Sequence, residues 1–296
     1  MNTGRVLREA GLRPRKGLGQ HFLIDPGVPE RIADAAALAP ADVVVEVGPG
    51  LGVLTTALAA RLDAAAGGRL IAVELDRHLI PLLRERMATY PTFRLVEGDI
   101  LDLAPADLLR EALPERANPD PPPYKVVANL PYYITSAVLR HFLEAEAPPR
   151  ALVVMVQREV AERIVARPPA MSLLAVSVQF YAVPRLLFRV PPGAFRPPPK
   201  VESAVVRVDL YPPAARPVPD ITPAGFFAVA RAGFGQRRKQ LGNSLAAGLA
   251  LDKAAVAGAL LAAGVAPSRR PETLTLPEWG AVAAALRPLL PLTTAS

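Results

Sequence analysis

The sequence predicts an α/β domain built on a parallel sheet, followed by a region that is helical throughout. Between residues 43 and 156, short apolar runs rich in β-branched residues alternate with helical patterns, as in βαβ units. Three of these runs end near glycine or an acidic residue, at the carboxyl edge where open α/β sheets bind ligands. We therefore divide the chain into a sheet domain at 1–211, including a basic arm at 1–18, a proline-rich linker at 212–220 and a helical domain at 221–296.

The composition excludes several classes of protein. Of the 296 residues, 51% are hydrophobic, which permits a large core, yet no apolar run approaches the ~20 residues of a membrane helix. There is no cysteine and the three histidines are scattered, so we expect no disulfide, no thiolate nucleophile and no metal site. The net charge of +7 favours a polyanion such as nucleic acid, although a general Arg, Ala and Pro bias would also produce it. We expect no signal peptide, and a cytoplasmic monomer.

The basic arm contains several cations and a single acid, Glu9. Pro14 and Gly17 argue against a continuous helix in this region. Such an arm suits contact with nucleic-acid phosphates, and a solvated tail explains it equally well. The residues that we expect to contact phosphates here are Arg13, Arg15 and Lys16.

A glycine-rich turn separates the first buried strand, predicted at 43–47, from a helix at 53–62. Such a turn lets the backbone approach a ligand closely and aims a helix N-terminus at it. The spacing departs from the dinucleotide fingerprint, because Val53 stands where the third glycine belongs. With Glu46 placed to accept from an ammonium group, the turn favours the amino-acid end of S-adenosylmethionine over a dinucleotide. The glycines of the turn are Gly48, Gly50 and Gly52.

Two further strands each end near a carboxylate. The strand at 70–76 contains Glu74, which lies 22 residues after Gly52, the usual place of an acid that binds ribose hydroxyls. The strand at 93–97 is followed by Asp99, which could accept from the amino group of a cofactor adenine. Solvated acids at strand ends are the alternative, but three such ends in one α/β region indicate a nucleoside site.

A fourth strand, at 124–128, delivers the sequence Asn-Leu-Pro-Tyr-Tyr to the sheet edge. An amino group conjugated to a ring, such as N6 of adenine, is a poor nucleophile because its lone pair is delocalised. The Asn129 side-chain oxygen and the Leu130 carbonyl could accept its hydrogens and favour the pyramidal, reactive amine. Pro131 would fix the turn and Tyr132 would offer a flat face to the base. A strand-to-helix turn with a core tyrosine is the alternative.

The remaining strands are predicted at 151–156, 173–181 and 203–211, with a charged helix after the first of them. Between the last two, Phe195 lies on a proline-rich loop that cannot form a helix. An aromatic ring fixed there could form a second wall for a base flipped out of its stack. A phenylalanine that caps the core is the alternative.

The helical domain combines apolar residues at helical spacing with a cluster of cations. Four positive charges fall within nine residues that contain no acid, and Arg269 and Arg270 add a pair further on. This pattern suits a module that grips structured RNA by its backbone, and a solvated helix face is the alternative. The four expected contacts are Arg231, Arg237, Arg238 and Lys239.

Together these stretches resemble the small-subunit rRNA adenine N6,N6-dimethyltransferases, the KsgA-like family. The resemblance covers nearly the whole chain, from about residue 13 to about residue 286. Its most specific parts are 19–25, 46–55, 129–136, 195–203 and 234–245. The first four are shared with the rRNA dimethylases that confer macrolide resistance. The last, which contains Phe-Gly-Gln-Arg-Arg-Lys-Gln-Leu, looks like the small-subunit type.

The resemblance implies a Rossmann-like methyltransferase fold with a seven-stranded sheet, six strands parallel and the last antiparallel. It implies S-adenosylmethionine as cofactor, Asn129 and Leu130 as the groups that receive the target amine, and Tyr132 and Phe195 as the walls of the base site. It implies two adjacent adenosines in the 3′-terminal hairpin of small-subunit rRNA, within a partly assembled 30S-type particle, as substrate, with Lys200 among the RNA contacts. The expected cofactor-binding residues are Gln20, His21, Leu23, Glu46, Gly48, Gly50, Gly52, Glu74, Asp99, Ile100 and Asn129.

Two features depart from the family's pattern. Ala137 stands where proline often follows Thr-Ser, and the loop at 166–172 is short and proline-rich. Three other functions stay open: methylation of large-subunit rRNA, methylation of adenine in DNA, and a mainly non-catalytic role in ribosome assembly. An NAD-dependent oxidoreductase would explain neither Asn129 nor Phe195.

Overall fold

The computed structural model describes residues 14–114, 121–212, 215–218, 221–236 and 238–290. Most of the predicted basic arm and part of the predicted linker lie outside the described residues. Two of the predicted RNA contacts, Arg13 and Arg237, also lie outside them, as does the side chain of Lys16.

The chain forms two compact units. The first consists of the residues up to Ala161 together with Pro184–Leu210, and the second of Glu162–Val183 together with the residues from Tyr211 onward. The second unit therefore includes a segment that precedes the predicted linker. The functional division at 212–220 stays a proposal.

The strands of the first unit lie mostly in one sheet. Within the described part of the chain, the strands are β1 Phe22–Leu23, β2 Val43–Val47, β3 Arg69–Glu74, β4 Phe93–Glu97, β5 Tyr124–Asn129, β6 Ala151–Gln157, β7 Ala182–Val190, β8 Phe195–Arg196 and β9 Ser203–Leu210. Seven of them form a sheet in the order β4-β3-β2-β5-β6-β9-β7, and β1 pairs with β8 in a separate antiparallel ribbon. Strands β4, β3, β2, β5 and β6 pair in parallel, and β9 runs antiparallel to β6.

The parallel strands fix where the site lies. Strands β2 and β6 are rich in valine and buried almost throughout, as expected for a sheet covered on both faces. In the register of the sheet Glu46 is paired with Val127 on one side, and Glu74 is paired with Glu97. Because neighbouring parallel strands end at the same edge, the segments that follow β2, β3, β4 and β5 meet there.

The helices connect these strands and continue into the second unit. Among the described residues they are α1 Gly27–Ala35, α2 Val53–Ala59, α3 Ile80–Met87, α4 Pro105–Ala112, α5 Thr135–Leu143, α6 Arg158–Ile164, α7 Leu173–Tyr181, α8 Pro223–Phe234, α9 Leu241–Leu249, α10 Lys253–Ala262 and α11 Leu276–Leu286. None of them is long and apolar enough to cross a bilayer. In the same described residues, no group of three or more His, Asp or Glu side chains is placed to hold a metal ion.

The strand predicted at 173–181 is wrong, because this segment forms helix α7. Ser172 caps the helix by accepting from the Ala175 N–H at 3.2 Å. The helix is apolar on most sides and is largely buried. A short apolar run of this kind does not distinguish a buried helix from a buried strand. The strand of the seven-stranded sheet that the prediction missed is β7, whose Pro184 lowers its strand signal but is tolerated at the edge of the sheet.

Helix α11 has a core tryptophan in the second unit. Trp279 is fully buried and stacks on Phe234 with ring centroids 5.2 Å apart. Arg269, which the sequence grouped with the RNA-facing cations, instead forms an ion pair with Glu278 and donates to the Thr273 carbonyl oxygen at 2.6 Å. The charge of Arg269 is therefore neutralised by an ion pair within the second unit.

Candidate active site

A cavity lies at the carboxyl edge of the parallel strands. The segments after β2, β3, β4 and β5 line it, together with residues 18–23. Of the predicted catalytic and cofactor-binding residues, Gly52 and Phe195 are not part of its lining. The predicted site residues that do line it are Gln20, His21, Leu23, Glu46, Gly48, Gly50, Glu74, Asp99, Ile100, Asn129, Leu130, Pro131 and Tyr132.

The glycine turn after β2 requires its glycines for backbone geometry. Gly48, Gly50 and Gly52 have φ angles of +66°, +59° and +75°, a left-handed conformation that side chains with a Cβ rarely adopt. At Gly48 a Cβ would meet no atom within 4 Å, so the backbone there faces open space. A Cβ at Gly52 would lie 3.0 Å from Arg86 Cδ, which gives this glycine a packing role.

Glu46 places a buried carboxyl group on the cavity wall. The residue is 1% exposed, and its Oε2 atom has no hydrogen-bond partner among the described residues. Burial raises the pKa of Glu46 to about 8, the neighbouring Thr55 hydroxyl opposes this shift, and the nearby charge of Glu74 adds a smaller increase. A buried carboxyl with an unused oxygen is suited to receive a cationic ligand group.

Glu74 ends strand β3 and is fixed by two backbone amides. Its Oε2 accepts from Gly50 N at 3.0 Å and its Oε1 from Asp76 N at 2.8 Å. Burial raises the pKa of Glu74, and these hydrogen bonds oppose that shift. The carboxylate is therefore held at the cavity wall, in the position expected for a ribose acceptor.

Asp99 shapes the segment that follows β4. Its Oδ1 accepts from Leu101 N at 3.0 Å and caps the short helical turn Ile100–Asp102. This places Ile100, which is 3% exposed, against the cavity. An aliphatic side chain beside a carboxylate is a suitable surface for a base with an exocyclic amine.

Asn129 is the last residue of β5 and its amide is oriented by the chain. Nδ2 donates to the His21 carbonyl oxygen at 3.4 Å, while Oδ1 takes part in no hydrogen bond with the residues that the structure describes. Leu130 is 2% exposed, and its N–H donates to the Met155 carbonyl oxygen at 3.1 Å. The strand end therefore presents one amide oxygen as an available acceptor.

Tyr132 is held from two directions. Its hydroxyl is 2.7 Å from Ser203 Oγ, and the His21 ring stacks on its ring with centroids 5.7 Å apart. His21 is itself fixed, because its Nδ1 lies 2.8 Å from the Pro197 carbonyl oxygen. Burial raises the pKa of the Tyr132 hydroxyl, so it stays protonated at neutral pH. One ring face is covered by His21.

Phe195 does not form a wall of the cavity in this structure. It is 2% exposed and packs in a core cluster with Leu23, Ile32 and Val205. Its backbone pairs with Leu23 in the ribbon of β1 and β8. The sequence placed it on a loop, but this pairing turns the side chain into the core. Its role as a second wall for a base stays a prediction and requires the side chain to leave this position.

The predicted RNA contacts that the structure describes are exposed, with one qualification. Arg15 pairs with Asp76, with Nη1 3.3 Å from Oδ1, although just over half of its side chain is accessible. Lys200 belongs to the first unit and is exposed. Among the predicted contacts in the second unit, Arg231, Arg238 and Lys239 are exposed.

Two residues of the site were missed in the sequence. Ser203 is fully buried and touches Tyr132 from 71 positions away. Asp76 is 3% exposed and binds the side chains of Gln20 and Arg15. Only the nearness of Asp76 to Glu74 could have indicated it, because neither contact has a local sequence signal.

Comparison with known proteins identifies the family. The family profile described as "Ribosomal RNA adenine dimethylase" matches residues 11–275. The chain is 53% identical over 268 residues to "Ribosomal RNA small subunit methyltransferase A" of Dehalococcoides mccartyi (strain ATCC BAA-2266 / KCTC 15142 / 195), covering 90% of this chain and 87% of that one. It is 44% identical to the protein of the same name from Pelotomaculum thermopropionicum, covering 94% of this chain and 93% of that one.

Solved structures agree with the fold. The crystal structure of the 23S rRNA methyltransferase ErmE aligns with a TM-score of 0.66 and 27% identity, covering 90% of this chain and 99% of that one. A dimethyladenosine transferase from Plasmodium falciparum aligns with a TM-score of 0.73 and 21% identity, covering 90% and 98%. These structures confirm the predicted Rossmann-like fold, and the family profile together with the named relatives confirms the predicted enzyme class. The chain belongs to the ribosomal RNA adenine dimethylase family.

Proposed function

We propose that this protein transfers methyl groups from S-adenosylmethionine to N6 of two adjacent adenosines in the 3′-terminal hairpin of small-subunit rRNA. The observation that carries the proposal is the meeting of two sets of groups at one cavity. Glu46, Glu74 and Asp99 suit a nucleoside cofactor, and Asn129 and Tyr132 suit an adenine amine. The named relatives at 38–53% identity support the small subunit as the source of the RNA. With such a substrate, we expect the enzyme to act in the cytoplasm on an assembling particle.

The residues fit the cofactor on the geometry of this structure. The unused oxygen of Glu46 suits an ammonium, the open backbone at Gly48 suits the close approach of an amino-acid group, and Glu74 suits ribose hydroxyls. When bound, S-adenosylmethionine supplies a methyl group already activated by a sulfonium. The protein therefore needs chiefly to align the amine with this methyl group and to exclude water.

Asn129 and Leu130 prepare the amine for this transfer. The Asn129 Oδ1 and the Leu130 carbonyl oxygen accept the two N6 hydrogens and draw the nitrogen toward a pyramidal geometry with a usable lone pair. Tyr132 stacks on the base with the ring face that His21 leaves uncovered. The methyl group would leave the sulfonium, which becomes a neutral thioether, and the nitrogen, cationic once the N–C bond has formed, would lose a proton to water. The second transfer requires room for one methyl group beside Asn129.

Large-subunit rRNA is the second candidate substrate. The structural likeness to ErmE, named as a 23S rRNA methyltransferase, favours it. The sequence identity to ErmE is 27%, however, against 53% to the small-subunit methyltransferase of Dehalococcoides mccartyi. Competition between small subunits, large subunits and duplex DNA for a limiting amount of enzyme tests the choice. We expect small subunits to take most of the label. A non-catalytic assembly role predicts binding to small subunits without transfer.

Replacement of Glu74 by alanine is expected to weaken S-adenosylmethionine binding by about 100-fold, because two ribose hydroxyls lose a charged acceptor. Glu97→Ala is the matched control, since Glu97 is paired with Glu74 in the sheet register but is exposed and not part of the cavity lining. Isothermal calorimetry on both variants measures the effect. Unchanged affinity in Glu74→Ala would contradict the ribose role.

Replacement of Ser203 by alanine is expected to raise the KM for RNA about threefold to tenfold, since Tyr132 loses the hydrogen bond that orients its ring. The affinity for S-adenosylmethionine should stay unchanged. Tyr132→Phe should have a similar effect, and the double variant should be no worse than either single one. Additive losses in steady-state kinetics would show that the two hydroxyls act independently.

A further inference from the structure

Asp76 lies just beyond strand β3 and binds the segment at 15–21, which we call the N-terminal strap. The residue is 3% exposed. Its Oδ2 accepts from Gln20 Nε2 at 2.9 Å and its Oδ1 from Arg15 Nη1 at 3.3 Å. Both bonds are charge-assisted. The bond to Gln20 joins the buried Asp76 to a partly buried side chain. One carboxylate therefore holds the strap through two of its side chains.

The contacts within the strap make this attachment a closed ring. The Arg15 N–H donates to Gln20 Oε1 at 2.8 Å, and the Leu18 N–H donates to the Arg15 carbonyl oxygen at 3.0 Å. The Gln20 amide is thus used on both sides, by Asp76 and by the Arg15 backbone. Although Gln20 lines the cavity, its side chain is engaged in holding the strap.

Asp76 is itself held in a fixed position. Its Oδ1 accepts from the His78 N–H at 3.2 Å and lies 2.9 Å from His78 Nδ1. Its own N–H donates to Glu74 Oε1 at 2.8 Å. The group that binds the strap and the carboxylate proposed for the ribose are therefore neighbours on one rigid strand end.

The other end of the strap is fastened independently of Asp76. The His21 carbonyl oxygen accepts from Asn129 Nδ2, and the His21 ring contacts the Pro197 carbonyl oxygen. Beyond it, β1 pairs with β8. In between, Gly19 packs so closely against Tyr133 that a Cβ would lie 3.3 Å from the ring. Loss of the Asp76 contacts would free one end of the strap while the other stays anchored.

Residues 18–21 of the strap line the cavity, whereas Asp76 does not. We propose that Asp76 is a positioning residue whose carboxylate latches the N-terminal strap over the cavity and thereby slows the departure of the bound cofactor. The identity of the cofactor rests on the proposed function, but the latch itself does not. Removing the latch takes no atom from the cavity wall, so its effect is on closure rather than on direct contact.

The test uses Asp76→Asn in the full-length protein. Whichever way the asparagine amide turns, its NH2 group faces a donor, Gln20 on one side or Arg15 and His78 on the other. Gln20→Ala breaks the latch from the strap, and Arg77→Ala, at the exposed neighbour of Asp76, is the control that leaves every Asp76 contact in place. Amide hydrogen exchange of residues 15–21 is measured without any ligand. Displacement of bound S-adenosylmethionine is then followed by stopped flow.

We expect exchange of the strap amides to rise about tenfold in Asp76→Asn and Gln20→Ala, and the dissociation rate to rise about tenfold in Asp76→Asn, with Arg77→Ala unchanged in both. Unchanged exchange in Asp76→Asn would overturn the latch. Faster exchange with an unchanged dissociation rate would overturn its control of the cofactor. If the unmodified protein did not bind S-adenosylmethionine, the proposed function would fail, while the exchange result would still decide the latch.

Discussion

Replacement of Asn129 by alanine is expected to lower the rate of methyl transfer by at least about 1,000-fold while S-adenosylmethionine still binds. The reason is that the amide oxygen acts on the amine mainly in the transition state, where a lost acceptor has its full effect on rate. Because Asn129 also orients the His21 carbonyl oxygen through its Nδ2, we expect cofactor affinity to fall by about tenfold or less.

Single-turnover transfer to unmethylated small subunits measures the first effect, and calorimetry measures the second. The same variant should still bind small subunits, because the exposed cations are unchanged. Near-normal turnover in Asn129→Ala would remove the proposed chemistry. Loss of cofactor binding equal to the loss of rate would instead assign Asn129 to the cofactor site alone.

Replacement of Glu46 by glutamine is expected to abolish a pH dependence of cofactor affinity. With a pKa of about 8, Glu46 is mostly protonated in the cofactor-free protein at neutral pH. An ammonium group beside it favours the carboxylate, so binding should release about one proton and affinity should rise about tenfold for each pH unit between about pH 6 and pH 7.5. Calorimetry in buffers of different ionisation enthalpy measures the released proton. The glutamine variant should show neither the release nor the slope.

Glu46 should also make the stability of the cofactor-free protein depend on pH, and in the opposite direction: stability falls as the pH rises, whereas cofactor affinity increases. Because the fold raises the pKa of Glu46 above its ordinary value of 4.5, the protonated form stabilises the cofactor-free protein, fully so below that value. This contribution is lost as the pH rises through about 8. Above that pH we expect Glu46→Gln to increase the free energy of unfolding by about 1–3 kcal/mol, measured by urea titration. A variant less stable than the parent at that pH would contradict the buried, uncompensated state of this carboxyl.

The sheet edge was predictable because its signals are local. Short apolar runs that end at or next to Glu46, Glu74 and Asn129 mark buried parallel strands, and the parallel arrangement alone brings their ends together. The glycines after β2 were predictable because the turn needs left-handed backbone at three positions. These features depend on a few neighbouring residues, which a sequence shows directly.

The parts that were not predictable depend on contacts between distant residues. The sequence of helix α7 was interpreted as a strand. The helix is buried on most sides, so its apolar residues are not confined to one face and show no helical spacing. The position of Phe195 follows from pairing with Leu23, 172 positions earlier, which turns its side chain into the core. Arg269 reads as a free cation until Glu278 is seen beside it. In each case the local structure or contact depends on residues distant in the sequence, which the local pattern does not show.

The most direct test of the central claim is methyl transfer to small subunits from a strain that lacks this modification. They are incubated with the protein and tritiated S-adenosylmethionine, and labelled nucleotides are mapped by mass spectrometry. The account predicts two dimethyladenosines, adjacent to each other in the 3′-terminal hairpin of the small-subunit rRNA, and no label with Asn129→Ala. Label on large-subunit RNA or DNA instead would contradict the proposed substrate, and no transfer to any nucleic acid despite cofactor binding would contradict the account as a whole.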